Sequence, residues 1–278
     1  MRVVSYGSER GVRAGLLREE SVVDVWDALG GGGSSVRELL DSDRLADAAE
    51  ISGGEPLALE RIELGPPVPD PEKIVCIGLN YSAHAAEAGI EPPLSPTFFA
   101  KFRNALAPPG ATVALPAASA KVDFEAEVAF VVGRRARDVA ESDGLDHVAG
   151  YMLLNDLSAR DLQFATPQWM PGKVFDGSAP CGPALVTPDE AGPEDRISFS
   201  LTLNGEQMQA ASTDDLIFSV PALVAHLSGL MTLEPGDIVS TGTPAGVGST
   251  REPRVWLKPG DEIAISSPTL GLLRTAIG

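Results

Sequence analysis

The chain is poor in the residues that most metal, redox and nucleophilic sites draw on. Its 278 residues include 3 histidines and 2 cysteines. Cys76 and Cys181 stand far apart and without metal-ligand spacing, which points to two small buried thiols and excludes a disulfide framework. Basic charge is also scarce. There are 21 Lys and Arg against 39 Asp and Glu, a formal charge of −18. Such a surface repels phosphate backbones and anionic lipid, so nucleic acid and membrane are excluded as partners. No stretch approaches the ~18 consecutive apolar residues of a membrane span. The opening MRVVSYGSERG lacks the apolar core of a signal peptide. These absences together lead to the expectation of a cytoplasmic protein.

What is present suits a packed core. Hydrophobic residues make up 44% of the chain and charged residues 22%, the balance of an ordered globular protein. The 29 glycines and 23 prolines fit many short strands joined by turns. A proline-rich connector, ELGPPVPDPEK at 63–73, separates a small N-terminal domain (1–64) from a larger domain (65–278). The first reads as a strand meander followed by a short helix capped by Ser34 or Ser35. In the second, strands are predicted at 74–78, 122–132, 147–155, 180–188, 197–206, 237–242 and 261–267. Two Pro-Gly-Asp turns introduce the last two, and an Asn-Gly signal closes the strand at 197–206. Helical spacing occurs after Ser158 and over 218–231. Few helices and no repeated βαβ alternation give an α+β, mainly β, fold class.

Chemistry concentrates in VDFEAEVAFVVG (122–133). One face of this strand carries Asp123, Glu125 and Glu127, then turns aliphatic with Ala129 and Val131. Glu125 and Glu127 are two apart, so they share a face roughly 7 Å apart. A solvated edge strand is the plain reading of such a pair. Buried, the two charges would raise each other's pKa unless a cation lay between them. Asp156 ends the apolar run YMLLN and should emerge at the mouth of the sheet. Three carboxylates without a cysteine or histidine cluster favour Mg²⁺ or Mn²⁺ over Zn²⁺.

Around this cluster, Arg160 and Gln163 fall on one helix face and would suit a substrate carboxylate. Ser158 is predicted to cap that helix, with Asp161 three residues on. His84 and Glu87 are three apart on a helical turn, where the carboxylate would orient the ring as a general base. His147 and His226 read as structural. Lys173 is a lone charge among turn formers and would hold an oxyanion near a metal. STGTPAGVGS (240–249) is a glycine-rich loop after a strand, whose N–H groups could bind an anionic oxygen. It matches neither a Walker loop nor GxGxxG.

Taken in order, GLNYSAHAAEAG, DFEAEVAFVVGR, GYMLLNDLSARDLQ, GKVFDGSAPCGP, DDLIFSVPALVAHLS, MTLEPGDIVSTGTPAGVG and LKPGDEIAI resemble the fumarylacetoacetate hydrolase family. The resemblance covers roughly 74–265. It implies a rolled mixed β-sheet catalytic domain, a homodimer, and one divalent ion per chain on Glu125, Glu127 and Asp156. It implies that His84 and Glu87 form a water-activating dyad on a lid. Arg160 and Gln163 would clamp the substrate carboxylate, with Lys173 beside the metal and Thr243 on the glycine loop. Val174 departs from the serine that many relatives carry after the lysine. The implied partner is a small anionic keto acid. The first expectation is hydrolytic C–C cleavage of an acylpyruvate-type acid. An oxaloacetate-type decarboxylase, an isomerase of a hydroxy-diene dicarboxylate and a non-catalytic metal-binding protein are the alternatives.

Overall fold

The apolar runs IVCIG, AEVAFVV and VAGYMLLN form the middle of a large mixed sheet. In the computed structural model, which describes residues 1–87, 89 and 91–278, these are the strands Ile74–Gly78, Ala126–Val132 and Val148–Asn155. Ala88, inside the motif GLNYSAHAAEAG, lies outside the described residues. The sheet runs in the order Pro56–Ala58, Ser21–Asp24, Gly11–Arg18, Arg2–Ser8, Ala179–Val186, Val148–Asn155, Ala126–Val132, Ile238–Ser240, Ile74–Gly78, Thr97–Lys101. The N-terminal meander is therefore continuous with the rest, joined where Arg2 and Val3 pair antiparallel with Val186 and Leu185. A second sheet of five strands packs alongside, built around the hairpin Ser198–Leu203 and Glu206–Ser212. Asn204 and Gly205 turn that hairpin with φ of 51° and 84°, the left-handed pair a tight hairpin turn requires. Helices are few, so the class is α+β with strand dominant.

The strand Ala126–Val132 is buried along its whole length. Val128, Phe130 and Val132 face one core cluster, while Ala129 and Val131 face a second with Leu154 and Ile238. The acidic face of this segment therefore leads into a core layer and not into solvent. The predicted strand at 122–132 is not continuous. It divides into Val122–Asp123 and Ala126–Val132, because side chains replace the ladder at the break. The Glu125 N–H donates to Asn155 Oδ1 (3.2 Å) and the Ala126 N–H to Gln209 Oε1 (2.9 Å).

Local signals explain the remaining elements. Ser35 caps the helix Val36–Asp41 and forms a reciprocal capping box with Glu38, satisfying otherwise orphaned N–H groups. The helix Val220–Leu230 starts at Ser219 and buries Val220, Leu223, Val224 and Leu227. That is the spacing of one helical face, and each such side chain contributes about 1.5–3 kcal/mol by leaving water. In the turn before Ile238, Asp237 accepts from the N–H groups of Lys73 and Glu234, both at 2.8 Å. Ser158 does not cap the helix Arg160–Gln163. Ala159 occupies the cap position, and the Ser158 hydroxyl donates to the Asp156 carbonyl. No helix among the described residues is long and apolar enough to cross a membrane.

The N-terminal meander is pinned by a buried polar knot. Asp24 accepts from Tyr6 Oη (2.6 Å) and from Arg13 Nε and Nη2 (2.7 and 2.6 Å). Burial alone would raise the Asp24 pKa, but the Arg13 and Tyr6 hydrogen bonds outweigh it and hold it below 3.8. A depressed folded pKa means that this stabilisation is present above the ordinary carboxylate value and is lost as pH falls through the lower folded one. Urea titrations between pH 5 and pH 2 should therefore show a stability loss that is smaller in Asp24→Asn. At neutral pH the same variant should be less stable by about 2 kcal/mol, because buried Arg13 loses its buried acid and keeps only the exposed Asp27 carboxylate at 2.9 Å.

Candidate active site

The break in the acidic strand sets the site. With residues 124–125 released from the ladder, the Asp156 N–H donates to the Glu125 carbonyl (2.9 Å), which fixes the end of YMLLN against it. One carboxylate oxygen from each of Glu125, Glu127 and Asp156 then lies within 4.8 Å of the others, and all three residues are buried. Glu127 is further fixed by the Ser240 hydroxyl and the Gly242 N–H. A buried donor set made only of carboxylate oxygens, converging at this spacing, fits a hard divalent cation.

Cations of the chain also converge here. Lys173 Nζ donates to Glu125 (2.7 Å) and Asp156 (3.0 Å). Lys101 Nζ, fully buried, donates to the other Asp156 oxygen (2.6 Å). Arg160 reaches Asp123 through Nε (2.9 Å) and Glu125 through Nη1 (2.6 Å). Four buried carboxylates thus face three buried cations, which leaves one negative charge for a bound cation to offset. The imbalance falls on Glu127. Burial, then Asp156 and Glu125, push its pKa well above the ordinary carboxylate range. Burial also works against charge on Glu125, but Lys173 and Arg160 outweigh it and hold its pKa low.

His84 stands on the helix Ser82–Glu87 and lines the same cavity as the acids. Its Nδ1 faces Glu87 Oε2 at 3.5 Å and has no closer partner among the described residues. Both Glu87 oxygens lie 3.1 Å from the Gly246 N–H. Several N–H groups of the glycine loop accordingly go to the protein's own carboxylates. Gly246 holds Glu87, while Gly248 and Ser249 donate to Asp123 at 2.7 and 3.0 Å. A Cβ on Gly246 would lie 2.3 Å from the Met208 carbonyl, so only glycine lets the loop approach.

The cavity has a volume of about 540 Å³ and is lined by Glu125, Glu127, Arg160, Gln163, Lys173 and Thr243 among others. Arg160 and Gln163 are together as predicted from their spacing, with Nη1 donating to Gln163 Oε1 (2.9 Å). The guanidinium is nevertheless engaged inward, by acids of the chain. Thr243 donates to the Ala126 carbonyl (3.0 Å) and accepts from Gln209 Nε2 (2.9 Å). Val174 does not line the cavity. His147 and His226 are not among its lining residues either.

Three polar residues escape the sequence reading as members of this centre. Lys101 hides in the aromatic run TFFAKF, where one lysine reads as an edge charge. Asp123 is the third acid of the segment, but it serves Arg160 and the glycine loop instead of the triad. Gln209 sits at an inward position of a hairpin strand; the polar pair around Met208 was the available signal.

Carboxylates that could hold one cation, at the floor of a cavity that also carries a histidine, are a site of the kind used by enzymes that depend on a hard divalent ion. The family model described as fumarylacetoacetate (FAA) hydrolase C-terminal matches residues 73–278, and the chain belongs to the fumarylacetoacetate hydrolase family. Among curated relatives, the fumarylacetoacetate hydrolase domain-containing protein 2 homolog of Dictyostelium discoideum is 39% identical, over 95% of this chain and 92% of that protein. Oxaloacetate tautomerase fahd2, mitochondrial, of Xenopus laevis is 39% identical over 84% of this chain and 73% of that protein. Among solved structures, one from Mycobacterium smegmatis superposes with a TM-score of 0.92 at 37% identity, covering 100% of this chain and 99% of that one. Maleylpyruvate hydrolase from Sphingobium sp. SYK-6 gives a TM-score of 0.82 at 30% identity, covering 100% and 99%.

Removing one acid should separate ion binding from folding. A raised folded pKa at Glu127 means that its contribution is favourable at low pH and is lost as pH rises. Glu127→Gln should therefore raise the melting temperature of the ion-free protein at pH 8. It should also weaken Mn²⁺ binding at least about tenfold, read as free Mn²⁺ by electron paramagnetic resonance, and abolish the melting-temperature gain that Mn²⁺ gives the parent protein.

Proposed function

We propose that the protein catalyses proton transfer next to the carbonyl of a 2-oxo dicarboxylic acid, interconverting keto and enol forms. The observation that carries this reading is the placement of His84 in one cavity with Glu125, Glu127 and Lys173. Relatives named as oxaloacetate tautomerases, at 39% identity over most of the chain, support it. A divalent ion held by Glu125, Glu127 and Asp156 would supply Lewis acidity toward the 2-oxo carboxylate head.

The chain's own residues account for the rest. Glu87 stays ionised because His84, Thr250 and Gly246 outweigh the effect of its burial. It orients the ring, so that the free nitrogen of His84 can take a proton from the carbon beside the carbonyl. The electron pair left behind forms the C–C double bond as the C=O π pair moves onto oxygen; the oxygen takes a proton from water, and His84 returns its own to water. Lys173 remains charged because Asp156 and Glu125 outweigh its desolvation. Its ammonium stabilises the negative charge that develops on that oxygen. Gln163 offers an amide to the carboxylate of the head, and Arg160, beside it, adds positive charge.

Hydrolytic cleavage of an acylpyruvate is the second reading. The His84–Glu87 pair favours it, since the same base could take a proton from water, and maleylpyruvate hydrolase shares the fold at 30% identity. The two readings part on product. In Mg²⁺ or Mn²⁺, the ultraviolet absorbance of enol-oxaloacetate should decay faster with enzyme, and His84→Ala should slow this at least about 100-fold while leaving Mn²⁺ affinity unchanged. Full activity in His84→Ala, or stoichiometric pyruvate release from acylpyruvates with no tautomerase activity, would reject the first reading. Compartment and assembly follow the same expectation as before, a cytoplasmic homodimer. Sedimentation of the purified chain tests the second half of that statement.

A further inference from the structure

We propose that Lys121 and Arg254 form a second anion-binding pole at the mouth of the cavity. It selects 2-oxo acids that carry another carboxylate at the end of an apolar spacer. This rests on the 2-oxo acid reading of the cavity floor and adds to it the length and far end of the substrate.

The two poles differ in what already holds them. The floor cations Arg160 and Lys173 are neutralised by Asp123, Glu125 and Asp156. Lys121 and Arg254 line the same cavity and are solvent-exposed. Their side chains have no acid or hydrogen-bond partner among the described residues. Asp161 is also at this end, but its carboxylate is turned to the Ser119 hydroxyl (2.5 Å) and the Ala120 N–H (3.1 Å). The rim therefore keeps a surplus of positive charge on a chain whose formal charge is −18. A charged pole left open on a cavity that takes anions is placed to receive one.

Backbone bonds bring the two cations to one side of the mouth. The Lys121 carbonyl accepts from the Arg160 N–H (2.9 Å), and the Val122 carbonyl accepts from the Leu257 N–H (2.9 Å). Lys121 thus lies between the helix that carries Arg160 and the segment that carries Arg254. Aromatic rings line the cavity toward both ends: Phe99 lies 5.0 Å from Lys173 Nζ on the floor and packs edge-on to Trp169 at 6.0 Å, and Trp256 follows Arg254 by two residues. A volume of about 540 Å³ lies in the range that holds drug-sized ligands and exceeds what a four-carbon acid fills. A head on the floor, an apolar stem along the rings and a carboxylate at the rim use all three regions.

The test compares two acids that differ only at the far end. In saturating Mg²⁺, binding of 2-oxoadipate and of 2-oxohexanoate is followed by tryptophan fluorescence, with Trp169 and Trp256 as reporters in the cavity wall. The parent protein should prefer the dicarboxylate about five- to tenfold, the scale of two exposed charge contacts, and the preference should shrink as salt rises. Lys121→Ser combined with Arg254→Ser should erase the preference while leaving the 2-oxohexanoate affinity unchanged, which also controls for folding. A parent protein without the preference, or a double variant that keeps it, overturns the rim pole and leaves the floor reading intact. Failure of both acids to bind the parent protein overturns both.

Discussion

The structure depends on one electrostatic constraint: four carboxylates are buried where strands of the main sheet meet, and each must find positive charge or N–H donors within reach. Left alone, any of them would protonate or unfold its surroundings. Asp123 is answered by Arg160 and by two loop N–H groups. Glu125 and Asp156 share Lys173, and Asp156 also takes Lys101. Among the described residues Glu127 receives only a hydroxyl and one N–H. The unmet charge is therefore concentrated on the acid deepest in the strand, which is where a cation could offset it.

The same constraint organises the loops. The glycine-rich segment after Ser240 looks, as a string of letters, like a cradle for a ligand's oxyanion. Its N–H groups at Gly242, Gly246 and Gly248 instead hold Glu127, Glu87 and Asp123, the first and last from the acidic segment and the second from the histidine-bearing helix. By doing so it ties the histidine-bearing helix, the acidic strand and the cavity wall to one another. These amides position acids of the chain.

Much of the site was legible because alternation and polarity disagreed. Two glutamates on a face that ends in Ala129 and Val131 had to be either solvated or paired, and an aspartate at the end of YMLLN had to emerge near them. The meeting of Arg160 with Gln163, and of His84 with Glu87, followed from helical spacing. Other features were not readable locally. Lys101 enters through pairing of Thr97–Lys101 with Ile74–Gly78, and nothing in TFFAKF states that register. The break at Phe124–Glu125 arises from Asn155 and Gln209, which lie 30 and 83 residues away from the groups they bind. The joining of the first strand to Ala179–Val186 is equally non-local. Ser158 satisfied the letter pattern of a cap, yet its hydroxyl found a nearer acceptor in the Asp156 carbonyl.

The burial of Ala126–Val132 on both faces also bears on biosynthesis. The lysines, arginine and loop amides that make its acids tolerable come from as early as Lys101 and as late as Ser249. A nascent chain that has emerged only to mid-length exposes an apolar strand beside unquenched negative charge. That charge keeps the segment hydrated and averse to self-association until the later residues arrive, so the acids guard the emerging chain before they ever meet a ligand.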